Sequence, residues 1–349
     1  MEYQISITSQ TERLVTDTKT LPFGKIPTEH MFITEYSGGN WQNARIIPFS
    51  NISLSPFAQC FHYGQTAFEG MKAFRMQDGR ISIFRPDKHY ERFSKSLERM
   101  CMPDIPKELF LQALDQLVKL DSNWIPEEED GSLYIRPFMI ATEDRIGVKV
   151  SDEYLFMIVC SPAFQYYSKP LKVKVETRFV RAAEGGTGFA KCGGNYGAAF
   201  YPTQIARENG YDQVIWTDSR HHEFIEESGT MNLMFYKDNV LVTPPLSGTI
   251  LDGVTRDSLL TIAKDAGLTI SERAISYREI QKALEEGERV EAFGAGTAAV
   301  IAPIEILAIG NKQYHCYIEE DAMMYGLQRE LYKIRKGIMP DAYNWNYIV

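Results

Sequence analysis

One lysine stands in a run of small residues: Gly185-Gly186-Thr187-Gly188-Phe189-Ala190-Lys191-Cys192-Gly193-Gly194-Asn195-Tyr196-Gly197. Small neighbours leave room for a bulky group at the lysine nitrogen. An accessible lysine with a lowered pKa is the nucleophile of Schiff-base chemistry. A P-loop would need glycine just before the lysine and Ser or Thr just after it. Ala190 and Cys192 hold those places, so a P-loop is excluded. The competing reading is a solvated lysine on a flexible surface loop.

Three further groupings could carry chemistry. Ile225-Glu226-Glu227-Ser228-Gly229-Thr230-Met231-Asn232 starts on an apolar-flanked strand and breaks at Ser-Gly-Thr. It offers one inward carboxylate beside hydroxyl and amide donors, or else a plain turn with exposed acids. Gly253-Val254-Thr255-Arg256-Asp257 opens a helix, whose free amides and positive dipole end suit a phosphate. The alternative there is an N-terminal cap with no ligand. Gly294-Ala295-Gly296-Thr297-Ala298-Ala299 matches the dinucleotide pattern G-x-G-x-x-A formally. Pro303 disrupts the helix that should follow, and too little chain remains for such a domain. The segment reads instead as a tight turn exposing backbone amides. His221-His222 with Glu223 does not read as a metal site, because adjacent strand residues point to opposite faces.

The elements that must position these groups follow from periodicity. Met31–Tyr36 and Ala44–Pro48 read as strands; Glu69–Arg75 and Arg80–Phe84 flank the hairpin turn Asp78-Gly79. Pro86 opens a helix with Tyr90, Phe93, Leu97 and Met100 on one face, and a second helix runs from Pro106 to Leu120. Strands follow at Leu133–Ile140, Glu153–Ser161 and Leu171–Val180, with Phe164–Pro170 as a connector. Beyond the glycine-dense stretch, strands at Gln213–Thr217, Asn232–Tyr236 and Arg289–Phe293 mix with helices at Thr255–Ala266, Ser276–Glu286 and Asp321–Lys336. Without a regular βαβ alternation this is an α+β chain. The first twenty residues read as polar and loosely held.

Composition narrows the function classes. The 349 residues suggest two domains. The net charge of −9 disfavours nucleic acid and anionic membrane surfaces. No apolar run approaches the roughly 18 residues of a membrane span, and Met1–Thr11 lacks a signal-peptide layout. Five scattered cysteines with no CxxC fit a reducing, cytoplasmic setting rather than disulfides or zinc.

Taken together and in this order, the four groupings resemble the fold-type IV aminotransferases that use pyridoxal 5′-phosphate (PLP), most closely the branched-chain amino acid aminotransferases. The resemblance also runs through Phe23-Gly24-Lys25, Phe68-Glu69-Gly70-Met71-Lys72-Ala73-Phe74 and Tyr134-Ile135-Arg136-Pro137, covering roughly residues 20 to 310. It implies a two-domain enzyme like D-amino acid aminotransferase. Residues 1–165 would form a small N-terminal α/β domain, 166–176 a connector, and 177–349 a larger PLP-binding domain with a β-barrel-like core.

The resemblance also implies roles. Lys191 would join the cofactor covalently, Tyr196 would bond its phenolic oxygen, and Glu227 would pair with the pyridine nitrogen. Arg92, Val254, Thr255 and Thr297 would hold the phosphate, with Thr230 also at the cofactor. The Thr297 and Ala298 amides, with Tyr134, would take the substrate α-carboxylate. Phe23, Tyr63, Phe68, Tyr166 and Met231 would wall the side-chain pocket, and Arg136 would meet the distal carboxylate of glutamate. Ile146 and Val148 would reach the active site of a partner subunit in a homodimer. The implied reaction is transamination between leucine, isoleucine or valine and 2-oxoglutarate. Residue by residue, alternatives stand: a surface charge for Arg92, core packing for Tyr63, Tyr134 and Tyr166, a strand-edge ion pair for Arg136. Animal members carry a redox-sensitive Cys-x-x-Cys after the Gly-Thr-Ala turn. Ala299 and Ala302 stand here, so thiol regulation at that place is not expected.

Overall fold

The computed structural model describes residues 3–8, 23–164 and 166–349. The loosely held stretch expected over the first twenty residues falls largely on 1–2 and 9–20, outside the described residues. The chain divides into two compact units. The first holds its described residues up to Tyr166 together with Ala190–Gly194 and Ile334–Val349; the second holds Tyr167–Phe189 and Asn195–Lys333.

The first unit contains, in order, β1 (Ser6–Ile7), β2 (His30–Ser37), β3 (Asn40–Pro48), α1 (Gln59–Tyr63), β4 (Thr66–Phe68), β5 (Met71–Arg75) and β6 (Ile81–Phe84). Then come α2 (Pro86–Arg99), α3 (Lys107–Leu120), β7 (Ser132–Ala141) and β8 (Tyr154–Ala163). They form one sheet in the order β1-β3-β2-β8-β7-β5-β6, with β4 also on β7 and the C-terminal strand Asn346–Ile348 on β6. The expected hairpin at Asp78-Gly79 joins β5 to β6, and Gly79 takes φ +85°, which a glycine accepts without strain. Pro86 occupies the first turn of α2, where its missing N–H costs nothing. Phe93 of α2 and Phe110 of α3 pack with Phe32 and Phe156 of the sheet in one apolar core.

Strand β7 shows how this packing sorts its residues. Leu133, Ile135, Met139 and Ala141 enter that core, so the intervening Tyr134 and Arg136 share the opposite face, as the two-residue period of a strand requires.

The second unit contains β9 (Leu171–Glu176), α4 (Gly194–Glu208), β10 (Gln213–Thr217), β11 (Ile225–Ser228), β12 (Met231–Lys237) and β13 (Val240–Thr243). After these come α5 (Val254–Asp265), β14 (Thr269–Glu272), α6 (Tyr277–Glu285), β15 (Glu291–Gly296), β16 (Val300–Ile309), β17 (Lys312–His315) and α7 (Met323–Arg335). The pairings β11-β10-β9-β16-β15-β12, closed by β12 back to β11, make a six-stranded barrel. Leu171, Val173, Ile215, Leu233, Phe235 and Leu307 belong to its apolar core. Closure removes the open edges a flat sheet would expose.

Gly294–Ala299 forms the end of β15 and the turn into β16, and Pro303 lies within β16. This is the β-hairpin that rejection of the dinucleotide reading requires. Among the described residues, no helix is long and apolar enough to cross a membrane.

Candidate active site

In the first unit, Lys191 is held through its backbone. Its N–H donates to the Ser96 hydroxyl at 2.9 Å, and its carbonyl accepts the Phe68 N–H at 2.9 Å. Cys192 bridges to Ala67, and the Gly193 N–H reaches the Thr66 carbonyl at 3.3 Å. A Cβ on Gly193 would meet Thr66 Oγ1 at 2.5 Å, so the absent side chain allows this approach. The flexible-loop reading of Lys191 therefore fails. Its Nζ lies 4.7 Å from the centroid of the Phe68 ring.

The alternative reading of Arg92 as a surface charge also fails. Arg92 is buried, and Glu69 takes it bidentately: Nε to Oε1 at 2.7 Å and Nη2 to Oε2 at 2.9 Å. His89 Nδ1 meets the same carboxylate at 2.8 Å, and the Gly70 N–H at 3.0 Å. Burial alone would push the Glu69 carboxyl up, but Arg92 and His89 outweigh it and hold it well below the usual carboxylate range.

An aromatic wall stands on the free face of β7. Phe23 packs edge-on against Tyr134 at 4.8 Å and against Tyr166 at 4.9 Å between ring centroids. Arg136 donates to the Tyr134 hydroxyl at 2.9 Å, and its guanidinium lies 4.7 Å from the Phe68 centroid. These contacts, rather than a strand-edge ion pair, orient it. A Cβ on Gly70 would collide with the Tyr134 hydroxyl, so only glycine admits that ring. Tyr63 donates to the Ile146 carbonyl at 3.1 Å, while the Ile146 and Val148 side chains stand out in solvent, Val148 at 85% exposure. Lys149 braces their loop by pairing with Glu143 at 2.9 Å and Asp152 at 2.5 Å.

In the second unit the two acids of the Glu226-Glu227 pair part company, as alternation on β11 demands. Glu227 Oε1 accepts the Leu251 N–H at 2.8 Å and Asn232 Nδ2 at 3.4 Å, and Oε2 forms a buried ion pair with Arg181 Nε at 2.9 Å. Glu226 accepts the Thr249 hydroxyl at 2.5 Å, and burial pushes its carboxyl up. Gly253 precedes α5 without a side-chain cap bond, and among the described residues Thr255 Oγ1 is buried with no hydrogen-bond partner. A buried orphan hydroxyl at an uncapped helix start is the arrangement an anion would complete. Met231 is buried, Thr230 is exposed in the β11–β12 turn, and Thr297 and Ala298 are half-buried in the β15–β16 turn. Tyr196 lies half-buried in the first turn of α4. Behind Lys191 in sequence, Thr187 and Asn195 tie the two ends of the loop together at 2.6 and 2.8 Å.

The histidine pair falls in a turn. The Asp218 carboxylate accepts the backbone N–H groups of Arg220, His221, Glu223 and Phe224 there.

Sequence reasoning did not single out Glu69, His89, Ser96 or Arg181. Glu69 sat within a quoted motif, and an acid beside an otherwise apolar strand run is the signal that could have raised it. His89 and Ser96 share a helix face with Arg92 at i−3 and i+4, which becomes meaningful only once Arg92 is known to point inward.

A profile of the amino-transferase class IV family matches residues 66–307. The chain is 44% identical over 338 residues to branched-chain-amino-acid transaminase 1 of Bacillus subtilis (strain 168), covering 94% of each chain. It is 42% identical to that organism's branched-chain-amino-acid aminotransferase 2, covering 98% of this chain and 95% of the relative. In fold it is similar to the PLP-form of a branched-chain amino acid aminotransferase from Thermobaculum terrenum, with TM-score 0.77 at 22% identity over 92% of this chain and 98% of that one. The branched-chain aminotransferase from the archaeon Thermoproteus uzoniensis, solved with norvaline, aligns with TM-score 0.75 at 23% identity, over 91% and 99% of the two chains.

Proposed function

Since the chain belongs to the class IV aminotransferases, we propose that it is a PLP-dependent branched-chain amino acid aminotransferase. It moves the amino group between L-leucine, L-isoleucine or L-valine and 2-oxoglutarate. The observation that carries this reading is the clamp on Lys191, a lysine among small residues whose backbone is bonded on both sides. Curated relatives of that name, 40–44% identical over nearly the whole chain, support the substrate class.

The residues fit PLP. The orphan Thr255 hydroxyl at the start of α5 and the buried Arg92 guanidinium suit a phosphate dianion. Thr297 and Thr230 supply further donors. When bound, PLP supplies an electron sink for the electron pair left at the substrate's Cα. Glu227 would pair with the pyridine nitrogen; its ion pair with Arg181 and the Leu251 N–H hold its carboxylate in place. Tyr196 donates to the phenolic oxygen. The Lys191 amine would hold the cofactor and, as a positioned base and acid, would take and return the substrate's Cα proton. The Thr297 and Ala298 amides and Tyr134 hold the α-carboxylate, and Phe23, Tyr63, Phe68, Tyr166 and Met231 wall the aliphatic side chain. Arg136 takes the distal carboxylate of glutamate.

The working form is a cytoplasmic homodimer. Ile146 and Val148 are apolar, exposed and held on a braced loop, as residues that cover a partner's pocket would be. Steady-state assays with L-leucine, D-alanine and aminodeoxychorismate test the reading. Turnover with L-leucine and 2-oxoglutarate alone is expected. Preference for D-alanine or for the chorismate derivative would assign another reaction of the same fold. A protein left colourless after PLP reconstitution would assign a non-catalytic binding role.

A further inference from the structure

Glu69 follows β4 and is fully buried, on the stretch that also supplies the Phe68 N–H to Lys191. A buried carboxylate is costly unless it is paired and hydrogen-bonded. Glu69 meets both demands through Arg92 Nε and Nη2, His89 Nδ1 and the Gly70 N–H, all within 3.0 Å. With those donors already on its two oxygens, it is poorly placed to take a substrate proton. It is well placed to orient its partners.

The geometry of those partners is specific. A two-bond fork fixes the plane of a guanidinium as well as its position. His89 and Arg92 are three residues apart on α2, and Ser96 follows four later, so one helix face carries all three. Ser96 returns a bond to the Arg92 carbonyl at 2.9 Å while accepting the Lys191 N–H. Burial, set partly against Glu69 and reinforced by the Arg92 and Lys191 charges, lowers the His89 pKa, so the ring bonds Glu69 as a neutral donor. Glu69 thus offsets the Arg92 charge in this cluster.

We propose that Glu69 is a positioning residue that, with His89, aims the Arg92 guanidinium at the phosphate of PLP; this rests on the PLP reading above. Its effect therefore passes through the phosphate and not through the aldehyde or the ring. Comparing PLP with pyridoxal, which lacks the phosphate, isolates that path.

The test is equilibrium binding of PLP and of pyridoxal to the full-length chain and to Glu69→Gln, Arg92→Gln and the double variant. In Glu69→Gln the preference for PLP over pyridoxal should fall about tenfold or more, the scale of a lost charge-assisted bond, with pyridoxal affinity unchanged. Adding Glu69→Gln to Arg92→Gln should change that preference no further. If Glu69→Gln does not fold, Glu69→Asp keeps the charge and withdraws the fork, and the preference should fall in the same sense. Equal losses for both aldehydes, or an undiminished effect in the Arg92→Gln background, would overturn the proposal. A wild-type chain that binds neither aldehyde would instead overturn the cofactor reading, which is a distinguishable result.

Discussion

The Ser96 hydroxyl accepts the backbone N–H of Lys191 at 2.9 Å, joining helix α2 to the lysine across 95 positions of sequence. Replacing it with alanine removes an acceptor inside a buried polar cluster, at a cost of about 1–3 kcal/mol. Ser96→Ala should melt several degrees lower and lose about tenfold or more in turnover, because small misplacements of a reacting group are expensive. Calorimetry and stopped-flow spectra would measure the two effects. An unchanged melt and rate would show that the bond does not position Lys191.

Glu227 should act through its charge. Glu227→Gln keeps an acceptor for the Leu251 N–H and abolishes the ion pair with Arg181. A turnover loss on the order of 10²-fold, with PLP retained, is expected of a preorganised electrostatic contact. Glu226→Gln should be milder, since the Glu226 carboxyl is pushed toward its neutral form by burial. Near-normal turnover in Glu227→Gln would deny it the role.

Arg136 should separate the two half-reactions. One pocket must take an apolar side chain from leucine and a carboxylate from glutamate. Arg136 can serve both, with its guanidinium over the Phe68 ring and steadied by the Tyr134 hydroxyl, and an aliphatic stem that tolerates an apolar neighbour. Arg136→Ala should cost the glutamate half-reaction about 10–150-fold, the range of a charge-assisted contact. The leucine half-reaction should change far less. Single-turnover spectra with each amino acid would separate them; equal losses would mean that Arg136 is structural or binds the common α-carboxylate.

If the proposed homodimer covers Val148, Val148→Asp should weaken it, because the substitution places a charge at an exposed apolar position. Sedimentation velocity would report dissociation at micromolar protein, with activity falling in parallel. A fully active monomer, in wild type or variant, would refute the shared site.

Much of this was legible in the residues. Periodicity located α2 and α3, and Asp78-Gly79 located the β5–β6 hairpin, because those signals are local. Helix α4 was not foreseen. Gly194, Gly197 and Pro202 within it are poor helix formers, and context overrode propensity. Strand β16 was missed for a related reason, since Pro303 was read only as a breaker. Lys191 and Glu227 stood out by their neighbours in sequence. Glu69 and Arg181 did not, because what makes them matter lies far along the chain: Arg92 and His89 for Glu69, Glu227 for Arg181.

Lys191 should carry the cofactor, and Lys72 is its physical rival. Lys72 is buried, and burial together with the Arg335 charge pushes its ammonium down to about 7, so it can offer a neutral amine. Borohydride reduction of the PLP-loaded protein, followed by peptide mapping, decides between them. Label on Lys191 alone is the predicted result. Label on Lys72 or Lys169, with Lys191 unmodified, would deny Lys191 the role.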